Sequence, residues 1–175
     1  MSYCLKTNLS IIDSNTKHEL INLARSIPNF KFDFLKLDPD LSNKIIDQLP
    51  EYLKVDPDQM FVRLQLINQK KISPHYDRGR VSGIYMMLSD NTVNTQFYDW
   101  KADASKTVVD GWISEDQLDS KLTVIFPKNQ VWLFDHSAIN SVDYSGSLRI
   151  SLNILYQYLP YTKLVELYEQ NCQIV

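Results

Sequence analysis

The sequence is poor in the residues on which several common kinds of site depend. Its 175 residues include only four glycines, two cysteines and three histidines. Neither a glycine-rich phosphate loop nor a G-x-S-x-G nucleophile turn occurs, so the chemistries built on those motifs are not indicated. The cysteines, Cys4 and Cys172, form no C-x-x-C pair, which argues against a zinc-cysteine site. Two free thiols in a reducing cytosol are favoured over a disulfide between them.

Long runs of apolar residues and of basic residues are absent as well. No window approaches the roughly 18 apolar residues of a membrane-spanning helix, and the N-terminus lacks the pattern of a signal peptide. The net charge is −3, and the longest basic run is Lys70-Lys71, which argues against a nucleic-acid partner. These absences predict a cytoplasmic protein with neither a membrane nor a nucleic acid as its partner.

The apolar pattern changes from a helical to a strand period near residue 57. Before it, two amphipathic helices are expected after Asp13-Ser14-Asn15-Thr16 and from Leu41, with short strands in 1–12 and at 30–35. After it, turns separate strands that are predicted at 60–67, 72–77, 82–88, 94–99, 106–109, 122–126, 130–135, 141–143 and 147–157. Helical crossovers are missing, so the sheets should be mainly antiparallel.

This order of elements predicts a mainly β protein with flanking helices. We expect one domain, with a helical N-terminal part at 1–56, a jelly-roll core at 57–157 and a C-terminal helix at 158–175. In such a jelly roll, or double-stranded β-helix, two antiparallel sheets enclose an interior in which a site can lie.

The first candidate site is the H-x-D motif at His75 and Asp77, which precedes the apolar run 83–88. Two residues that are two apart on a strand point to the same face, so this imidazole and carboxylate should lie side by side. Together they make up part of a 2-His-1-carboxylate site, which suits non-haem Fe(II). A structural alternative is that His75 simply hydrogen-bonds to Asp77 at the end of the strand.

A second candidate segment runs from Val131 to Asn140 and is followed by Arg149-Ile150-Ser151. H-x-D after a strand, an aromatic strand that ends in polar residues, and then R-x-S resemble the Fe(II)- and 2-oxoglutarate-dependent dioxygenases. The resemblance covers residues 60–156 and is closest to prolyl hydroxylase-like and aspartyl/asparaginyl hydroxylase-like members. Thr95-Gln96-Phe97-Tyr98 falls where related proteins carry a G-x-T-x-F-Y strand, although the glycines are absent here.

The resemblance implies a jelly-roll fold, Fe(II) and 2-oxoglutarate as cofactor and cosubstrate, and O₂ with a peptide or a small molecule as substrates. His75 and Asp77 would bind iron, and Arg149 and Ser151 would bind the distal carboxylate of 2-oxoglutarate. Arginine suits that task because its planar, permanently charged fork matches a carboxylate. The structural alternative for Arg149 is an ion pair with Asp143 or Asp135. The oligomeric state and the substrate itself are not indicated.

The third iron ligand is open between two positions. The family's distal histidine stands about nine residues before the arginine, where this chain has Asn140, while His136 stands thirteen residues before Arg149. Either His136 binds the metal after a short insertion, or Asn140 stands in the ligand position, as a weak amide ligand or as no ligand. We expect a hydroxylase with His136 as ligand; the alternative is an inactive jelly-roll binding protein that has lost the third ligand. Arg78 and Arg80 are expected to be solvated loop charges.

Overall fold

The computed structural model describes residues 2–28, 32–55, 57–68, 71–77, 79–90, 94–143 and 148–172. Its helices are α1 (Ser14–Arg25), α2 (Pro39–Asp47) and α3 (Tyr161–Cys172). Its strands are β1 (Cys4–Lys6), β2 (Phe32–Lys36), β3 (Met60–Ile67), β4 (Lys71–His75), β5 (Ser82–Met87), β6 (Asn94–Trp100), β7 (Val108–Val109), β8 (Trp112–Ile113), β9 (Leu118–Ile125), β10 (Val131–Asp135), β11 (Ile139–Asp143) and β12 (Arg149–Tyr156).

The strands form two antiparallel sheets of six strands each, and the fold is a mainly β jelly roll. The first sheet has the order β1-β10-β5-β12-β3-β2, and the second has the order β7-β8-β4-β11-β6-β9. The strands alternate between the sheets from β3 to β6 and from β9 to β12, so β4 and β5, or β10 and β11, lie on opposite sides of the interior. The predicted fold class is therefore confirmed.

The first sheet is covered on its outer face by the three helices. On β3, the alternating residues Met60, Val62, Leu64 and Leu66 pack in one cluster with Leu20 and Ala24 of α1, Ile45 of α2, and Leu164 and Tyr168 of α3. The alternation that predicted this strand thus corresponds to a sheet face that is buried against helices. Each of the first two helices has an aspartate at its N-cap, Asp13 and Asp38, whose carboxylate accepts from a backbone N–H of the first turn.

The opposite face of the first sheet meets the second sheet. Its apolar part is aromatic: Tyr85 of β5, Phe97 of β6, Phe126 after β9 and Phe134 of β10 pack together, with ring centroids 4.9–6.2 Å apart for the pairs in contact. Polar side chains occupy the remaining part of the interior. This partition places a polar pocket between two sheets whose strands are held firmly by their neighbours.

Several predicted bounds differ from the observed ones. The N-terminal strand covers only Cys4–Lys6, and the first two residues of the segment predicted at 30–35 lie outside the described residues. β9 begins at Leu118 rather than at 122, and α3 is a full twelve residues long. The β7–β8 hairpin was predicted in part only, because two-residue strands leave too short a pattern to recognise.

Two other expectations have clear outcomes. Cys4 is a buried free thiol and Cys172 an exposed one, so the expectation of two thiols is confirmed. None of the helices within the described residues is long and apolar enough to cross a membrane.

Candidate functional site

Five of the six predicted site residues line one cavity of about 30 Å³ between the two sheets, and Ser151 is the one that does not. His75 and Asp77 come from the end of β4, His136 from the turn after β10, Asn140 from β11 and Arg149 from β12. Residues that are far apart in the sequence are thus brought together by the pairing of β4 with β11 and of β5 with β10 and β12.

His75 is the last residue of β4, and its ring is oriented by the backbone. Its Nδ1 lies 2.9 Å from the carbonyl oxygen of Ser73. A carbonyl oxygen can only accept, so Nδ1 carries the proton and Nε2 presents a lone pair. This Nε2 lies 3.9 Å from Oδ1 of Asp77, which is too long for a hydrogen bond.

Asp77 lies beyond the end of β4, so the expectation that it shares the strand with His75 is wrong in detail. Its carboxylate nevertheless reaches the cavity, where Oδ1 accepts from Nη2 of Arg80 and Oδ2 lies 2.5 Å from Nδ1 of His136. Burial alone would raise the pKa of Asp77, but the charges and hydrogen bonds of His136 and Arg80 hold it well below its usual range. Asp77 is therefore a buried anion between two basic side chains.

His136 has little freedom to turn away from Asp77. Nδ1 of His136 contacts the carboxylate of Asp77, and Nε2 lies close to Gly83 of β5. A Cβ added to Gly83 would be only 2.9 Å from Nε2. Gly83 thus leaves room for the imidazole, whose ring centroid is 4.7 Å from that of Phe134. Within the described part of the chain, Nε2 of His136 has no hydrogen-bond partner although it is buried.

Asn140 stands directly opposite His75 in the β4–β11 ladder and opposite Phe97 of β6. It is buried, lines the cavity, and its Nδ2 donates to the carbonyl of Ala138 at 3.3 Å. Its amide oxygen is a hard donor of the kind that can bind a metal ion, but it is neutral. By strand register, Asn140 is the residue on the neighbouring strand that lies nearest to the H-x-D histidine.

The described residues do not present a metal site built from three acidic, histidine or cysteine side chains. No three of those side chains lie in an arrangement that could hold a metal ion. The donors that fit a metal are Nε2 of His75 and the carboxylate of Asp77, with the amide of Asn140 across the strand. The third-ligand role of His136 stays a prediction.

Arg149 is 2% exposed and faces the cavity from β12. Its Nε donates to the hydroxyl of Tyr85 at 3.1 Å, Nη2 donates to the same oxygen, and Nη1 has no partner in the described part of the chain. The guanidinium also lies 5.5 Å from the Tyr85 ring centroid. The alternative of an ion pair with Asp135 or Asp143 is not seen: the Asp135 carboxylate accepts from Ser137, and Asp143 is exposed.

Ser151 lies two residues along the same face of β12 and is fully buried. Its hydroxyl donates to Oε1 of Gln65 at 3.2 Å and is 3.3 Å from Nδ2 of Asn153. Both of those amides line the cavity, so Ser151 belongs to the hydrogen-bond network behind the wall. Its predicted role beside Arg149 as a ligand of the cosubstrate stays a prediction.

Sequence reasoning missed two residues of this site. Arg80 was expected to be a solvated loop charge, but its side chain is paired with Asp77 and stacks 4.7 Å from the ring centroid of Phe34. The spacing of Asp77 and Arg80 is a usable signal for a loop ion pair, although a frequent one. The second is Tyr85, whose hydroxyl is the hydrogen-bond partner of Arg149. Arg78 lies outside the described residues.

Comparisons with known proteins find similarity in structure. SnoN, a non-heme alpha ketoglutarate dependent epimerase from nogalamycin biosynthesis, is similar with a TM-score of 0.55 and 11% identity, over 90% of this chain and 79% of SnoN. SnoN in complex with Fe³⁺, alpha ketoglutarate and nogalamycin RO gives a TM-score of 0.56 and 12% identity over the same shares. Vicilin from hazelnut (Corylus avellana) gives 0.42 and 14%, over 75% of this chain and 31% of vicilin.

The likeness to SnoN bears on the fold. The chain shares its jelly-roll architecture with SnoN, at a sequence identity too low to carry over the chemistry of any residue. No protein-family model and no curated protein matches the sequence.

Proposed function

We propose that this protein is a non-haem Fe(II)- and 2-oxoglutarate-dependent oxygenase, and that the reaction is a hydroxylation. The observation that carries the proposal is the buried, incompletely paired guanidinium of Arg149 in the same cavity as His75 and Asp77. A buried cation without an anionic partner is costly, so this position favours a carboxylate ligand. A dicarboxylate that reached Arg149 with one end would bring its other end toward His75 and Asp77.

His75 and Asp77 would hold the iron. The bond from Nδ1 of His75 to Ser73 leaves Nε2 as the donor atom, and backbone hydrogen bonds of this kind commonly orient metal-binding histidines. Asp77 is ionised, as a ligand must be. With Fe(II), 2-oxoglutarate and O₂ bound, the chemistry supplied is C–H hydroxylation coupled to conversion of 2-oxoglutarate into succinate and CO₂.

The two candidates for the third ligand differ in what they require of the protein. Asn140 already faces the cavity opposite His75 and needs only its amide oxygen turned toward the metal. His136 would have to release Asp77 and turn its ring within the space that Gly83 leaves. SnoN, which has the same fold, has been seen with Fe³⁺ and alpha ketoglutarate, and this supports the proposed cofactor pair.

A second candidate function is a jelly-roll binding protein without iron. The observation that favours it is the pairing of Asp77 with both Arg80 and His136, because these two basic groups compete with a metal for the carboxylate. The cavity of about 30 Å³ has room for about two water molecules and must open before a five-carbon diacid can enter. In this alternative, a small anion would bind to Arg149 alone.

Calorimetric titration of the metal-free protein with 2-oxoglutarate, with and without Fe(II) under anaerobic conditions, separates the candidates. An oxygenase should bind 2-oxoglutarate more tightly with Fe(II), develop a weak visible charge-transfer band, and form succinate in air. Binding that is indifferent to the metal, with no band and no succinate, would reject the oxygenase in favour of the binding protein.

The substitution Asn140→His tests the third position. If Asn140 occupies the position of the third iron ligand, an imidazole in its place should raise the affinity for Fe(II) by about tenfold or more, because imidazole is a stronger donor than an amide. His136→Asn is the matched variant, since it removes the competing imidazole. If His136→Asn abolishes iron binding and Asn140→His does not improve it, the ligand is His136.

A further inference from the structure

A second cavity, of about 430 Å³, lies outside the sheets, and four of the nine residues that line it are aromatic. Its four rings come from three places in the chain, and each is partly exposed: Tyr3, Tyr76, Tyr98 and Trp100. An exposed surface that gathers four aromatic rings around one groove is typical of a binding site. The groove is distinct from the cavity that holds Arg149.

The polar atoms of these rings are bound within the protein. Nε1 of Trp100 donates to the hydroxyl of Tyr76 at 2.7 Å, the Tyr98 hydroxyl lies 2.9 Å from Oγ of Ser141, and the Tyr3 hydroxyl donates to Asp99 at 2.9 Å. The rings are thereby held in place, and each keeps a partly exposed surface at the groove. A π surface attracts cations, because the face of an aromatic ring is electronegative.

The charges at the groove are negative. Asp99 and Asp135 both line it. Asp99 has Nζ of Lys121 at 3.9 Å, whereas Asp135 accepts only from the backbone N–H and hydroxyl of Ser137 and has no cationic partner among the described residues. Burial, the hydrogen bond to Asp99 and the charges of Asp99 and Asp135 raise the pKa of Tyr3 to about 12. The negative charges of both carboxylates therefore reach Tyr3, one of the aromatic residues that line the groove.

We propose that this groove binds the ammonium head of an organic cation, with Asp135 as its counter-ion and the rings of Tyr76, Tyr98 and Trp100 as its walls. Aromatic faces and a carboxylate together favour a quaternary or alkylated amine, because the rings can replace water around the methyl groups. A neutral or anionic ligand would find no matching charge at this place.

The groove lies beside the proposed iron site. Tyr76 stands between His75 and Asp77 in the sequence, and Tyr98 pairs with Ile139, the residue before Asn140. Alternation along β6 and β11 turns Phe97 and Asn140 inward and Tyr98 and Ile139 outward, so the second sheet separates a cation bound in the groove from the proposed iron site. The binding site itself does not depend on iron.

The test compares choline with 3,3-dimethyl-1-butanol, which has the same shape with a carbon in place of the charged nitrogen. Calorimetry uses the metal-free full-length protein without 2-oxoglutarate. A failure of choline to bind would therefore not count against the iron site, and a failure of iron to bind would not count against the groove. We expect choline to bind about tenfold more tightly than the neutral alcohol. Equal affinities, or no binding of choline, would overturn the proposal.

Two substitutions assign the attraction to the residues named. Asp135→Asn keeps the acceptor for Ser137 and removes the charge, and should weaken choline binding about fivefold without affecting the alcohol. Trp100→Leu should weaken it as well, because an apolar surface remains but the aromatic ring is lost. Asp47→Asn, an exposed carboxylate of α2 outside the groove, is the matched control and should change nothing. Unchanged choline binding in Asp135→Asn would show that the groove is not the site.

Discussion

At the scale of single residues, the interior of this protein is organised by one carboxylate. Asp77 is only 10% exposed and is paired with Arg80 and His136, while His75 approaches to 3.9 Å. Buried charges of this kind cost free energy to desolvate, and the cost is recovered only while every partner is present. The same group that would bind a metal is thus also a structural anchor of the loop after β4.

The substitution Asp77→Asn should reveal this structural role. The amide removes the negative charge and leaves Arg80 and His136 buried without compensation, so we expect a loss of about 3 kcal/mol in the free energy of unfolding. Urea denaturation followed by circular dichroism measures it. Asp119→Asn, at an exposed position, should stay within about 0.5 kcal/mol of the unchanged protein. A loss of that small size for Asp77→Asn would mean that the ion pairs contribute little.

The stability contributed by Asp77 should depend on pH in a definite direction. Its pKa in the folded protein is lowered, so its contribution is complete above the unfolded-state pKa of about 3.9 and is lost as the pH falls toward the folded-state value. The difference in unfolding free energy between the unchanged protein and Asp77→Asn should therefore be constant near pH 6 and shrink below about pH 4. Urea titrations at several pH values check this. A difference that grows on acidification would contradict the assignment.

Residue patterns predicted part of this site and missed part of it for physical reasons. His75 and Arg149 lie on strands, where the alternation of side chains predicts the face on which each one lies. Arg80 and His136 take their places through the path of a loop and of a turn, which no periodicity encodes. The room that Gly83 leaves for His136 depends on a strand that is remote from it in sequence, and this becomes visible only once β5 and β10 are paired.

At the scale of elements, strands with a one-sided pattern were the most predictable. β3 was predicted with its observed bounds because its alternating face is buried against helices. β9 was predicted too short because most of Leu118–Ile125 is exposed and polar, and its pairing with β6 rather than burial makes it a strand. β11 was predicted only from residue 141, yet its first two residues bring Asn140 opposite His75.

Helix α3 offers a test of how much the helical layer stabilises the sheet. Leu164 is fully buried in the cluster between α3 and the first sheet, whereas its neighbour Lys163 is half exposed and pairs with Glu166 on the surface. Leu164→Ala should lower the free energy of unfolding by about 2–4 kcal/mol through lost burial and the cavity that remains. Lys163→Ala should change it by less than about 0.5 kcal/mol. Urea denaturation measures both, and similar small effects would mean that α3 is not part of the cooperative core.

At the scale of the whole molecule, the two sheets enclose a single interior. Neighbouring strands such as β3 and β12, or β4 and β11, are far apart in the sequence, so neither sheet can form from one continuous stretch of chain. The aromatic contacts of Tyr85 with Phe126 and of Phe97 with Phe134 cross from one sheet to the other. A fold of this topology is expected to form slowly and as one unit.

This topology predicts that both sheets unfold in one transition, and the positions of the three tryptophans allow a direct test. Trp132→Phe leaves only Trp100 and Trp112, which report on the second sheet, while the double substitution Trp100→Phe and Trp112→Phe leaves only Trp132, on β10 of the first sheet. In each variant, urea midpoints from tryptophan fluorescence should coincide with those from far-ultraviolet circular dichroism, because the inner face of each sheet is buried only by the other sheet. The dichroism curves serve as the internal control for any stability change caused by the substitutions. A fluorescence midpoint that separates from the dichroism midpoint in one variant would show that a sheet unfolds independently, and the polar cavity between the sheets could then open without loss of the whole fold.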